Sequence, residues 1–176
     1  MRTPHLLAST CTTDPESAYR RAEHAIAAEL SGLFEARLEP WHSPQEGAML
    51  LTAELDELWT KVKTGHAGLA RQQAVLVGAL ALRLVADLGE LTGPARDRAR
   101  AAAAQERQIR DASAVGRGKF ASLHEAFGFL KLAFGTVWAA VESGDTTAFQ
   151  AAAATMAAQA VRFVAEVPSS AAAVSA

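Results

Sequence analysis

The stretch from Ser43 to Gly65, SPQEGAMLLTAELDELWTKVKTG, decides the fold because the chain writes it twice. Residues 122–144 read SLHEAFGFLKLAFGTVWAAVESG, and a shift of 79 positions lays one on the other without a gap. Ser43 falls on Ser122, Glu46 on Glu125, Leu51 on Leu130, Trp59 on Trp138, Val62 on Val141 and Gly65 on Gly144. The register holds downstream, where Ala79 meets Ala158, Arg83 meets Arg162 and Val85 meets Val164. Across 41–88 against 120–167, 12 of 48 positions are identical. Alanine matches arise by chance in this chain, but Trp, Arg, Gly and Ser-x-x-Glu in a single register do not. The pattern is that of an internal duplication.

Each copy reads as helix. Leu51, Leu55, Leu58 and Val62 recur at spacings that put them on one helical face, and Leu130, Phe134, Val137 and Val141 do the same. Ser43-Pro44-Gln45-Glu46 and Ser122-Leu123-His124-Glu125 are capping boxes, which account for both Ser/Glu pairs without any chemistry. Gly65 and Gly144 fit the left-handed residue that closes a helix. Further punctuation at Asp14-Pro15, Pro40, Gly89, Thr92-Gly93-Pro94, Gly116-Arg117-Gly118, Asp145 and Pro168 marks six helices. They run from about 15 to 38, 44 to 63, 67 to 88, from Thr92-Gly93-Pro94 to about 115, 123 to 142 and 146 to 167. The expected organisation is a tail (1–13), a first three-helix repeat (14–90), a second (91–168) and a C-terminal tail (169–176). Neither repeat can bury its apolar face alone. The expected architecture is therefore an all-α six-helix bundle in which the two repeats pack as an internal pseudo-dimer, with a further homodimer left open.

Composition agrees and removes several function classes. The chain has 176 residues, 41 of them alanine, and only six prolines, as a helical domain of this size would. A net charge of -2 gives no basic field for a nucleic-acid polymer. The single cysteine, Cys11, excludes an intrachain disulfide and a cysteine zinc site. No apolar run approaches the ~20 residues that span a bilayer, and the first residues lack a signal-peptide core, so a cytoplasmic protein without a membrane role is expected. Gly116-Arg117-Gly118-Lys119 lacks the strand, spacing and Ser/Thr of a phosphate loop and reads as a connection between helices.

The segment from Glu46 to Lys63, with its Glu54-Leu55-Asp56-Glu57-Leu58-Trp59, followed by Ala74 to Arg83, resembles the MazG-like all-α nucleoside triphosphate pyrophosphohydrolases. The resemblance covers about 17–90 and, through the repeat, extends more weakly to 96–167. It implies a helical bundle in which carboxylates from two neighbouring helices, arranged as E-E-x-x-E and E-x-x-D, hold magnesium against a triphosphate. Magnesium takes oxygen ligands in an octahedron and keeps waters and substrate phosphates among them. Carried onto this chain, the resemblance makes Glu54 and Glu57 metal ligands, with Gln73 as a weak third. Lys61 and Arg83 become the candidates for contacting substrate phosphates.

The chain departs from that pattern at Ala53 and Leu76, where the family carries acids. The second copy departs further, with Ala133, Thr136, Ala152 and Thr155 at the positions equivalent to 54, 57, 73 and 76. Plain structural roles compete for the same residues. Glu57 and Lys61 make an ordinary i, i+4 pair on a solvated face. Arg83 and Arg162 suit arginines that lay their stems on the core and pair with a carboxylate. Trp59 and Trp138 suit packing at the end of the bundle as well as base stacking. The reading favoured is a degenerate member with weak or no catalysis that binds a nucleotide or a partner protein. The alternative is an active magnesium-dependent pyrophosphohydrolase that uses Glu54 and Glu57.

Overall fold

The computed structural model describes residues 14–36, 39–89, 91–113 and 118–167. The two expected tails, and the last residues expected for the first and fourth helices, lie outside these. Six helices account for nearly all of the described chain: α1 (Pro15–Ala36), α2 (Pro44–Lys63), α3 (Ala67–Leu88), α4 (Ala95–Ser113), α5 (Leu123–Ser143) and α6 (Thr146–Glu166). There is no strand among the described residues.

The helix ends follow from the residues that punctuate them. Ser43 Oγ accepts the Glu46 amide at 3.2 Å, and Glu46 Oε2 accepts the His42 amide at 3.0 Å. Seventy-nine residues later Ser122 Oγ accepts the Glu125 amide at 3.1 Å, and the Glu125 carboxylate accepts the Ala121 amide. In both boxes the glutamate reaches back one residue beyond the cap. Asp145 Oδ1 caps α6 by accepting the Ala148 amide at 2.9 Å. Helices α2 and α5 close on Gly65 (φ 71°) and Gly144 (φ 70°), a conformation that costs any residue with a Cβ.

Helices α3 and α6 form the centre and pack on each other. Helices α1, α2 and α4 lie on α3, while α4, α5 and α1 lie on α6. The remaining contacts are α2 with α5 and a slight touch of α1 with α4. This set of neighbours is unchanged when α1, α2 and α3 are exchanged for α4, α5 and α6. Every residue from Val77 to Ala86 in α3 is buried, as is every residue from Met156 to Val164 in α6. Helices covered on all sides are apolar all round. Small residues allow the close approach: a Cβ on Gly78 would stand 2.8 Å from Ile26 Cδ1 and 3.0 Å from Ala160 Cβ. The stripes of α2 and α5 face this centre, with Leu51, Leu55, Leu58 and Val62 wholly buried and Leu130, Phe134, Val137 and Val141 nearly so.

One finding departs from the sequence expectation about apolar runs. Helix α3 is long and apolar enough to cross a membrane by length and composition, although 72% of its most apolar window is buried inside the protein. Arg71, Arg83 and Asp87 interrupt the helix, so no uninterrupted apolar run of that length lies in it.

Candidate functional site

Helices α2 and α3 are joined by the tight turn at Gly65, so they run back along each other. With the α2 leucines turned inward, Glu54, Glu57 and Lys61 fall on the flank of the stripe that faces α3. Gln73, on the second turn of α3, meets them there. The contacts form one chain. Lys61 Nζ donates to Glu57 Oε1 at 2.6 Å and to Gln73 Oε1 at 2.9 Å. Gln73 Nε2 in turn donates to the Glu54 carboxylate. Four of the five residues singled out from the sequence therefore meet at one place. Lys61, Glu54 and Gln73 are partly buried, while Glu57 is exposed.

The chemistry of this cluster is limited by what occupies its middle. The cation between the helices is the chain's own ammonium group, and the amide of Gln73 is oriented by it, oxygen toward Lys61 and nitrogen toward Glu54. Magnesium needs six oxygen ligands. Two carboxylates and one amide oxygen, each already engaged, do not make that shell, and Leu76, one turn along α3, offers no ligand. Among the described residues no group of three His, Cys, Asp or Glu side chains is placed to hold a metal ion. The positions 79 residues further on are apolar, with Ala133, Ala140 and Ala152 buried at the places that correspond to Glu54, Lys61 and Gln73. Thr155, opposite Leu76 in the repeat, turns its hydroxyl to the Ala151 carbonyl at 2.8 Å.

Arg83 is elsewhere. It sits ten residues beyond Gln73, about 15 Å along α3, and is 1% exposed. Its Nε donates to Asp87 Oδ2 at 3.1 Å, its Nη1 to the Leu33 carbonyl at 2.7 Å and its Nη2 to the Glu39 carbonyl at 2.9 Å. The rings of Phe34 and Trp41 lie 5.0 Å and 5.3 Å from the guanidinium. Asp87 also accepts from Arg98 Nη2 at 3.0 Å. This guanidinium holds the chain between α1 and α2 against α3.

Arg162 makes the corresponding set on α6. Nε donates to Glu166 at 3.1 Å, Nη2 to the Gly118 carbonyl at 2.7 Å, and the Phe120 ring lies 3.9 Å away. Glu166, Gly118 and Phe120 stand 79 positions after Asp87, Glu39 and Trp41. The sequence reading did not name Asp87 and Glu166 as the arginines' partners. The signal was available, since both lie four residues on and in register with the repeat.

The tryptophans are not equivalent in use. Trp59 stacks on Phe127 (centroids 4.9 Å apart) and meets His124 edge-on, which ties α2 to α5. Trp138 Nε1 donates to Glu142 at 3.0 Å beside Phe134. The sequence reading also did not anticipate a cleft between α1 and α4, because neither wall is distinctive until the two are brought face to face.

Comparison with known proteins adds no relative: no family model, no curated protein and no solved structure matches the chain.

Proposed function

We infer that the chain is an internally duplicated, MazG-like bundle that keeps the fold but not pyrophosphohydrolysis, and acts by binding a nucleotide or a partner protein rather than by turnover. The tandem repeat is supported by contacts recurring 79 residues apart: two capping boxes, two left-handed glycines, and two buried arginines on matching carbonyls, carboxylates and rings. The unchanged set of neighbours on exchanging the two halves supports an internal pseudo-dimer, with α3 and α6 against the pseudo-twofold axis.

The observation that carries the loss of catalysis is the position of Lys61 Nζ, 2.6 Å from Glu57 and 2.9 Å from Gln73. An ammonium group there pairs with Glu57, one of the two acids that the resemblance would give to magnesium, and it brings none of the vacant coordination positions that a triphosphate and a water need. The second copy has no acid at the equivalent places.

The test is pyrophosphate release from a panel of ribo- and deoxyribonucleoside triphosphates, with magnesium or manganese, beside an E54A/E57A control. The expected result is release no faster than the control. Metal-dependent turnover that the double variant abolishes overturns the proposal and establishes the pyrophosphohydrolase reading.

A further inference from the structure

The cleft between α1 and α4 is a second place where the fold leaves room, and it is independent of the α2–α3 cluster. It encloses about 920 Å³. That lies within the range of pockets that hold small molecules. Its floor is formed by Leu82 of α3 and Val161 of α6, residues 79 apart and both buried, so it reaches down to the central helix pair. Leu30 and Phe34 line the α1 side, and Ala99 and Ala103 the α4 side. The small residues of α4 leave the space that larger side chains would have filled.

The rim is charged and asymmetric. Arg96, Arg100 and Arg107 line the cleft from α4, at spacings that place them on one face, and Arg20, paired with Glu16 at 3.0 Å, joins them from α1. Against these four stand two carboxylates, Glu23 and Glu35. Glu23 is already held by Arg107 at 3.5 Å and by Arg110. Arg100 has only an exposed pairing with Asp97 at 3.5 Å, and Arg96 has no ion pair among the described residues. A chain of net charge -2 thus presents a basic edge over an apolar trough.

We propose that this cleft binds a single-chain amphiphile with an anionic head, the head at Arg96 and Arg100 and the chain over Leu30, Phe34, Leu82 and Val161. Charge complementarity selects the head. The Glu23–Arg107 bridge selects a thin occupant over a helix. It joins α1 to α4 across the cleft, which leaves less room for a helix than for a single chain.

The test is titration calorimetry of the full chain with dodecanoate, dodecyl phosphate, dodecanol and dodecyltrimethylammonium, each below its micelle concentration. The anions should bind at one site per chain, about tenfold more tightly than the alcohol, with the cation weakest. An R96Q/R100Q variant should bring the anions down to the alcohol's affinity. Ala103→Trp, which fills the trough from a half-exposed position, should abolish binding of all four. Circular dichroism checks that both variants keep their helices. A preference for either anion supports the proposal and names the head as carboxylate or phosphate. Absence of binding, equal affinity for all heads, or anion binding that survives Ala103→Trp overturns it. So does a dimer that Ala103→Trp dissociates, since a second copy would then be the occupant. Pyrophosphate release is read at other residues, so the outcome there leaves this result unaffected.

Discussion

Arg83 and Arg162, 79 residues apart, hold their surroundings by the same geometry: each binds a carboxylate four residues on and a carbonyl 44 residues back, with a ring against its plane. They differ in depth, the Arg83–Asp87 side chains being 2% and 0% exposed and the Arg162–Glu166 pair 10% and 9%. Removing Arg83 leaves Asp87 to Arg98 and takes the donor from the Leu33 and Glu39 carbonyls, and a buried acceptor left unpaired costs about 1–3 kcal/mol. Arg83→Ala should therefore lose that much stability in urea denaturation, and Arg162→Ala distinctly less. Arg83→Lys should be far from neutral, because a lysine cannot serve a carboxylate and two carbonyls in one plane. Equal losses for the two alanine variants would contradict the argument from depth.

The glycines separate into two kinds with opposite signs. Gly78→Ala gains about 1 kcal/mol of helix propensity. It also drives a Cβ to within 2.8 Å of Ile26 and 3.0 Å of Ala160, where three helices meet. Overpacking of that sort costs about 1–3 kcal/mol, so the variant should be destabilised overall. Gly128 and Gly135 lie on the exposed face of α5 with nothing within 4 Å of an added Cβ. Gly128→Ala and Gly135→Ala should each raise stability by about 0.5–1 kcal/mol. Thermal melts of the three variants decide both signs at once.

Lys61 invites a direct exchange of cations. Its pairing with Glu57 lies near the surface, where such pairs contribute about 0–1 kcal/mol, so Lys61→Ala should leave the fold and its melting temperature nearly unchanged. The variant also removes the positive charge beside Glu57 and Gln73. Manganese binding, followed by electron paramagnetic resonance, should be stronger in Lys61→Ala than in the parent chain and weak again in the triple variant lacking Glu54 and Glu57. Identical manganese binding by parent and Lys61→Ala would remove the lysine from its assigned role.

The fold was largely legible because its signals are local and repeated. Serine caps, left-handed glycines and leucine stripes act within one or two turns, and the 79-residue register presented each of them twice. The site was legible only as membership. Periodicity places Glu54, Glu57 and Lys61 on one flank of α2, and it cannot say that the Lys61 side chain folds into the middle and reaches Gln73. Arg83 shows the same limit from the other side. On sequence an arginine in an apolar helix suits a phosphate clamp or a core pair, and only the return of the chain past Leu33 and Glu39 supplies the carbonyls that engage it inside. The α1–α4 cleft was not legible because it is a property of two helices that are adjacent in space and distant in sequence.

Tyr19 offers a spectroscopic reading of that long-range packing. Its hydroxyl donates to Glu166 Oε1 at 2.5 Å, joining α1 to the end of α6, and Glu166 also accepts from Arg162 and from the Phe120 amide. Burial, then the hydrogen bond and negative charge of Glu166, push the phenol up from 10.0 to about 12. The folded state thus holds the phenolic proton more tightly than the unfolded state does. The stabilisation this supplies is complete below pH 10 and is lost as the pH climbs through about 12. Tyr19 is the chain's one tyrosine, so tyrosinate absorbance titrates it alone. The midpoint should lie near 12 while circular dichroism still reports helix. Glu166→Gln, which removes the charge and weakens the acceptor, should move it down. A midpoint near the ordinary tyrosine value in the folded protein would mean that α1 does not dock on α6 through this bond.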